Sequence, residues 1–351
     1  IIYSRMRQYN IPPIDRELIA PIREKIDHLS KSKQSLGYVE TLAERIALMQ
    51  GTLSPHLAHP CHILFSADHG IVADGVSLAP QIITYQQTLN FARGGACATV
   101  FARLYGFDLT IVDAGVVGDL SIEPTIINRK IAEGTRNYRL EPAMTPEQME
   151  RCLSIGEEFV ASFASQGCNV LSVGEMGIGN TSTSSLWMHY LTGTPLEECV
   201  GVGSGLSRKG VEHKLEVLSA AIRRFIGPPT PEHLMQEFGG FELVMAVGAM
   251  LAAAERRMVV LIDGFVMSAV ALMAARINPN FLDYAVFGHK SKESGHARML
   301  AAMDATPLLD LGMHLGEGVG AMMAYPIVQG AVAMLTQMGT FSSDGIIKYF
   351  K

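Results

Sequence analysis

The chain has 351 residues, more than one hydrophobic core usually organises, which calls for a large domain with a smaller companion and excludes fibres, peptides and disulfide miniproteins. Apolar residues make up 48% and charged residues 18%, against ~25% in an average globular chain, and mean hydropathy is +0.22, which excludes disorder. A charge of -6, from 28 basic and 34 acidic residues without a basic tract, excludes a nucleic-acid footprint or an electrostatic membrane anchor and leaves a small-molecule site as the default.

Residues 1–15 carry Arg5, Arg7 and Asp15 with no apolar stretch of signal-peptide length, so secretion is not expected. Helical patterns follow at 15–28 and 35–49. Short apolar runs then alternate with helical ones: strands are predicted at 62–67, 109–115, 169–175, 259–263 and 284–288, and helices at 84–105, 146–166, 183–191, 212–225, 241–254 and 319–338. Window 258–275 is long enough to mimic a membrane span, but Asp263-Gly264 interrupts it and Glu255-Arg256-Arg257 precedes it, so it reads as a buried strand, turn and helix. The alternation predicts an α/β fold: a Rossmann-like, mainly parallel sheet with helices on both faces, plus a small helical domain from both chain ends. The expected division is 1–50 with 319–351 for the helical domain and 51–318 for the α/β domain. The five cysteines are odd in number and lack Cys-x-x-Cys spacing, pointing to a reducing, cytoplasmic setting.

Asp68, Asp113, Glu175, Asp263 and His289 each end a strand-like run beside glycine, at the sheet edge where parallel α/β proteins bind ligands. Singly, each is better explained as a helix N-cap; five together point to a site. Two glycine-rich segments, Gly174-Glu-Met-Gly-Ile-Gly-Asn-Thr-Ser182 and Gly201-Val-Gly-Ser-Gly-Leu206, could present backbone N–H groups to a phosphate, and Arg208, Lys209 and Lys214 follow the second. Neither matches a Walker A loop or a dinucleotide fingerprint. Glu317, in Leu315-Gly-Glu-Gly-Val-Gly-Ala321, is a base candidate: the N-terminus of its own helix would favour the carboxylate while apolar neighbours oppose it. His56, His59, His62 and His69 have no regular metal-ligand spacing, and no metal is expected.

Eight blocks, in order, resemble those of the nicotinate-nucleotide:dimethylbenzimidazole phosphoribosyltransferase family. They are Ser35-Leu-Gly37, Ala67-Asp-His-Gly70, Arg93-Gly94, Val112-Asp-Ala-Gly115, Gly174 to Thr181, Val260-Leu-Ile-Asp-Gly-Phe265, His289-x-Ser291-x-Glu293-x-Gly295, and Leu315 to Ala321. The resemblance implies transfer of phosphoribose from nicotinate mononucleotide to an aromatic acceptor, with no cofactor. It implies that Glu317 is the general base, with Glu175 and Asp263 near the ribose and reacting centre. It further implies that Gly177, Asn180, Thr181, Gly203, Lys214, Gly264 and Ser291 bind substrate, and that Ala79, Pro80, Gln87, Met176 and Leu315 surround the acceptor. Relatives that use dimethylbenzimidazole commonly have Ser where this chain has Ala79, so a phenol- or p-cresol-activating subunit of a hetero-oligomer is an alternative, as is a catalytically silent binding subunit. Sparse surface charge and many apolar helices lead to the expectation of a homodimer, or a heterodimer with a related chain.

Overall fold

The computed structural model describes residues 6–349; Arg5 and the outermost ends of the 1–50 and 319–351 segments lie outside them. Six strands, β1 (Cys61–Ala67), β2 (Asp108–Gly115), β3 (Ile126–Asn128), β4 (Val170–Met176), β5 (Val259–Ile262) and β6 (Ala285–Phe287), form one parallel sheet in the order β3-β2-β1-β4-β5-β6. The chain starts at the centre, builds outward through β2 and β3, then returns past β1 to build the other half. The loops leaving β1 and β4 therefore diverge, opening a crevice at the carboxyl ends of the strands. The expected Rossmann-like sheet is borne out. The sixth strand, β3, escaped sequence reading because it is a three-residue edge strand with only Ile126 buried, too short for a periodic signal.

Helices cover both faces. Phe65 of β1 meets Phe159 of the helix Pro146–Ser165, whereas His62 and Gly174 face the turn that opens the helix Val319–Gln337. The helix Phe241–Glu255 lies between the sheet and Pro146–Ser165 and is buried from Phe241 to Ala254, which explains why it is apolar all round. It and its neighbour interlock through glycines: a Cβ at Gly156 would lie 2.1 Å from the Met245 carbonyl oxygen, and one at Gly248 2.2 Å from that of Leu153.

The single helix expected at 84–105 is two, Ile82–Ala92 and Cys97–Tyr105, because Gly94 turns left-handed (φ +81) between them. The break creates a second helix N-terminus near the crevice. The strand, turn and helix expected in 258–275 are β5 and Phe265–Ile277. Val319–Gln337 is long and apolar enough to cross a membrane by length and composition, but it packs on β4, β5, Cys97–Tyr105 and Tyr38–Gln50. The N- and C-terminal segments meet where Leu29 bridges Thr340 and Ser30 N donates to the Gly339 carbonyl (2.9 Å).

Candidate active site

The crevice between β1 and β4 holds a cavity of about 400 Å3. Twelve of the fifteen residues that the resemblance assigns to the site line it: Gln87, Glu175, Met176, Gly177, Asn180, Thr181, Gly203, Asp263, Gly264, Ser291, Leu315 and Glu317. Three do not. Lys214 lies behind Thr181, donating from Nζ to Oγ1 (2.8 Å). Ala79 and Pro80 stay outside the wall, where Ala79 N reaches Ser204 Oγ (3.4 Å) and so ties their loop to the second glycine segment.

Glu317 is 6% exposed and has φ +62, between Gly316 (φ +92) and Gly318 (φ +78). This left-handed run aims its carboxylate away from its own helix. Oε1 accepts from Gln87 Nε2 (2.9 Å) and Oε2 from Ala98 N (3.2 Å), in the first turn of Cys97–Tyr105. The expected contact with the N-terminus of the helix Val319–Gln337 is therefore corrected. That end is held by Asp263, whose Oδ2 accepts from Gly318 N (3.0 Å) and Oδ1 from Gly320 N (2.8 Å) and Ala321 N (3.3 Å). Burial pushes the Glu317 pKa above the usual carboxylate range, against the opposing Ala98 and Gln87 bonds. A cavity-facing carboxylate whose ionised form is supported by two neutral donors while burial opposes it suits proton abstraction.

Glu175, at the end of β4, has its pKa raised well above the ordinary value, by burial first and then by Glu242, Asp263 and Glu317, while the Asn180 amide bonded to its Oε2 opposes the shift. Gly177 approaches the sheet so closely that a Cβ would lie 2.6 Å from the Ala67 carbonyl oxygen. Gly179 (φ +95) then opens the helix Asn180–Thr192, whose N-terminus has no side-chain cap. That end borders the cavity next to Thr181, to which Lys214 donates, and the positive pole of a helix suits an anion there. Desolvation depresses the Lys214 pKa to about 8, with Glu293 opposing.

Two of the five strand-end groups serve the scaffold: Asp68 accepts from Val117 N (2.7 Å) and Asp113 from Val116 N (2.9 Å), bracing the turn after β2. His289, buried with Nδ1 3.3 Å from Asp263 Oδ1, lines the cavity, as do Glu293 and His314. His289 is one of the strand-end groups and Glu293 belongs to the motif that follows it, whereas His314 was missed, its one signal being its place next to Leu315. His56 and His59 are exposed while His62 and His69 are buried. Among the described residues no cluster of three or more His, Cys, Asp or Glu is placed to hold a metal.

A family model described as phosphoribosyltransferase matches residues 11–346. The chain belongs to that phosphoribosyltransferase family. A relative in Bacteroides fragilis named nicotinate-nucleotide--dimethylbenzimidazole phosphoribosyltransferase is 50% identical over 345 residues, 98% of this chain and 100% of the relative. One of the same name in Dechloromonas aromatica is 47% identical over 344 residues, covering 97% and 99% of the two chains. The crystal structure of CobT from Thermus thermophilus superposes with a TM-score of 0.91 at 39% identity, covering 95% of this chain and 99% of that one. The family expected from the eight motifs is the family found, and the phosphoribosyltransferase fold places its cavity at the sheet's switch point.

Proposed function

We propose that the protein transfers the phosphoribosyl group of nicotinate mononucleotide to the aromatic lower-ligand base of a cobamide, releasing nicotinate and forming the alpha-riboside phosphate. The observation that carries this proposal is Glu317: a buried carboxylate with a raised pKa, lining a cavity whose other wall is an uncapped helix N-terminus. The names of the relatives supply the substrates. A ring nitrogen of the acceptor attacks the anomeric carbon from the face opposite nicotinate. The glycosidic electron pair leaves with the pyridinium nitrogen, which becomes neutral, and the proton on the second ring nitrogen passes to Glu317. The leaving group is already cationic, so no metal or organic cofactor enters.

In this mechanism Gly177, Asn180, Thr181, Gly203 and Lys214 take the phosphate, and Glu175, Gly264 and Ser291 border the ribose. Gln87, Met176 and Leu315 take the acceptor, with Ala79 and Pro80 at the mouth. Asp263 acts through the turn it caps. Segments 1–50 and 319–351 are taken as a small helical domain, supported by the pairing of Leu29 with Thr340, and the enzyme as a cytoplasmic dimer, homomeric or with a related chain. Light scattering at micromolar concentration is expected to give about twice the 38.0 kDa chain mass; the mass of one chain would refute the dimer. Incubation with nicotinate mononucleotide and a panel of benzimidazoles, purines and phenols, with products weighed by mass spectrometry, is expected to yield a riboside phosphate and free nicotinate. No product with any acceptor would overturn the proposal.

A further inference from the structure

His62 belongs to β1, is fully buried, and does not itself line the cavity. It lies level with Ser172 of β4, and its ring bridges two elements: Nδ1 is 2.9 Å from Ser172 Oγ and Nε2 is 3.0 Å from the Glu317 carbonyl oxygen. A carbonyl only accepts, so Nε2 carries the proton, Nδ1 is bare, and the Ser172 hydroxyl donates to it. Burial lowers the His62 pKa to about 4, which keeps the imidazole neutral at working pH. The same peptide group is held from its other side, because Gly318 N donates to Asp263 Oδ2 (3.0 Å). The plane joining Glu317 to Gly318 is thus clamped at both its C=O and its N–H. Gly174 makes this approach possible: a Cβ there would lie 2.4 Å from the Glu317 carbonyl oxygen.

A non-glycine residue at φ +62 persists only where its surroundings over-determine it. The clamp on this peptide plane fixes ψ of Glu317 and φ of Gly318 (+78), so releasing it frees the backbone from which the carboxylate reaches Gln87 and Ala98. We propose that His62, set by Ser172, is a positioning residue that locks the Glu317–Gly318 peptide and so aims the base; this rests on the role of Glu317 given above.

The comparison is between His62→Leu, which removes the donor, and His62→Gln, whose Nε2 is as many bonds from Cβ as that of the imidazole. Misplacing a catalytic group by about 1 Å costs up to ~100-fold, so His62→Leu is expected to lose about 10- to 100-fold in kcat with the KM for nicotinate mononucleotide nearly unchanged, and His62→Gln to recover most of it. A Leu variant that turns over like wild type, or a Gln variant as impaired as the Leu variant, overturns the proposal. A second measurement needs no turnover: in protein with 15N-labelled histidine, the His62 resonance, identified by its loss in His62→Gln, is expected to show a neutral ring protonated at Nε2 from about pH 6 to 8. A ring protonated at Nδ1, or a cationic one, refutes it. Absence of wild-type turnover with every acceptor would instead sink the assigned function, leaving the tautomer to decide the role of His62.

Discussion

At the scale of single residues, two carboxylates in one cavity are driven the same way for related reasons. Glu317 and Glu175 are both buried away from cations, so each favours its neutral form more than a free carboxyl does. A base must be ionised, so kcat is expected to fall as pH drops through the raised Glu317 value, with an acid limb above the usual carboxylate range. Glu317→Gln should remove that limb and lower kcat by ~10²- to 10⁴-fold, while calorimetry finds binding of nicotinate mononucleotide largely retained. Glu175 makes a different prediction, about stability. Its folded pKa is raised, so its contribution to stability is full below the ordinary value and is lost as pH rises through the folded one. Glu175→Gln keeps an acceptor for Asn180 and removes the charge. It should therefore stabilise the fold at pH ~8 and do so much less at pH ~4, read from urea unfolding at both. Equal effects at the two pH values would rule out ionisation as the cause.

At the scale of elements, glycine decides how closely backbones approach. Pro146–Ser165 and Phe241–Glu255 meet at Gly156 and Gly248, where an added methyl has no room against opposing carbonyls. Either Gly→Ala change is expected to cost at least ~1–3 kcal/mol, although alanine is the better helix former, because overpacking outweighs the ~1 kcal/mol propensity gain. Gly330, with nothing within 4 Å of an added Cβ, is the internal control: Gly330→Ala should be neutral or stabilising in the same denaturant titration. The break at Gly94 illustrates the same local determinism with a functional consequence. Without it Cys97–Tyr105 would have no free N-terminus, and Glu317 would lose the Ala98 N–H.

At the scale of the whole molecule, the cavity is assembled from segments far apart in the chain, so its ligand should report on the entire fold. Nicotinate mononucleotide at about 100 times its dissociation constant is expected to add about 2.7 kcal/mol, seen as a concentration-dependent rise in Tm; an unchanged Tm would argue against a folded-state site. Five strands, the parallel sheet and most of the cavity wall were legible in the sequence, because buried parallel strands are short apolar runs and the turns at their ends are marked by glycine beside a polar group. What the sequence could not supply was the direction in which each polar side chain points. Asp68, Asp113, Glu175 and Asp263 carry the same local signature, yet two brace a turn, one faces the cavity and one caps a helix more than fifty residues downstream. Local sequence determines φ, ψ and hydrophobic period, and these fix the elements. The partner of a carboxylate is chosen among N–H groups brought together only when the sheet and helices pack, as when Glu317 finds its donor on Cys97–Tyr105, more than two hundred residues earlier in the chain.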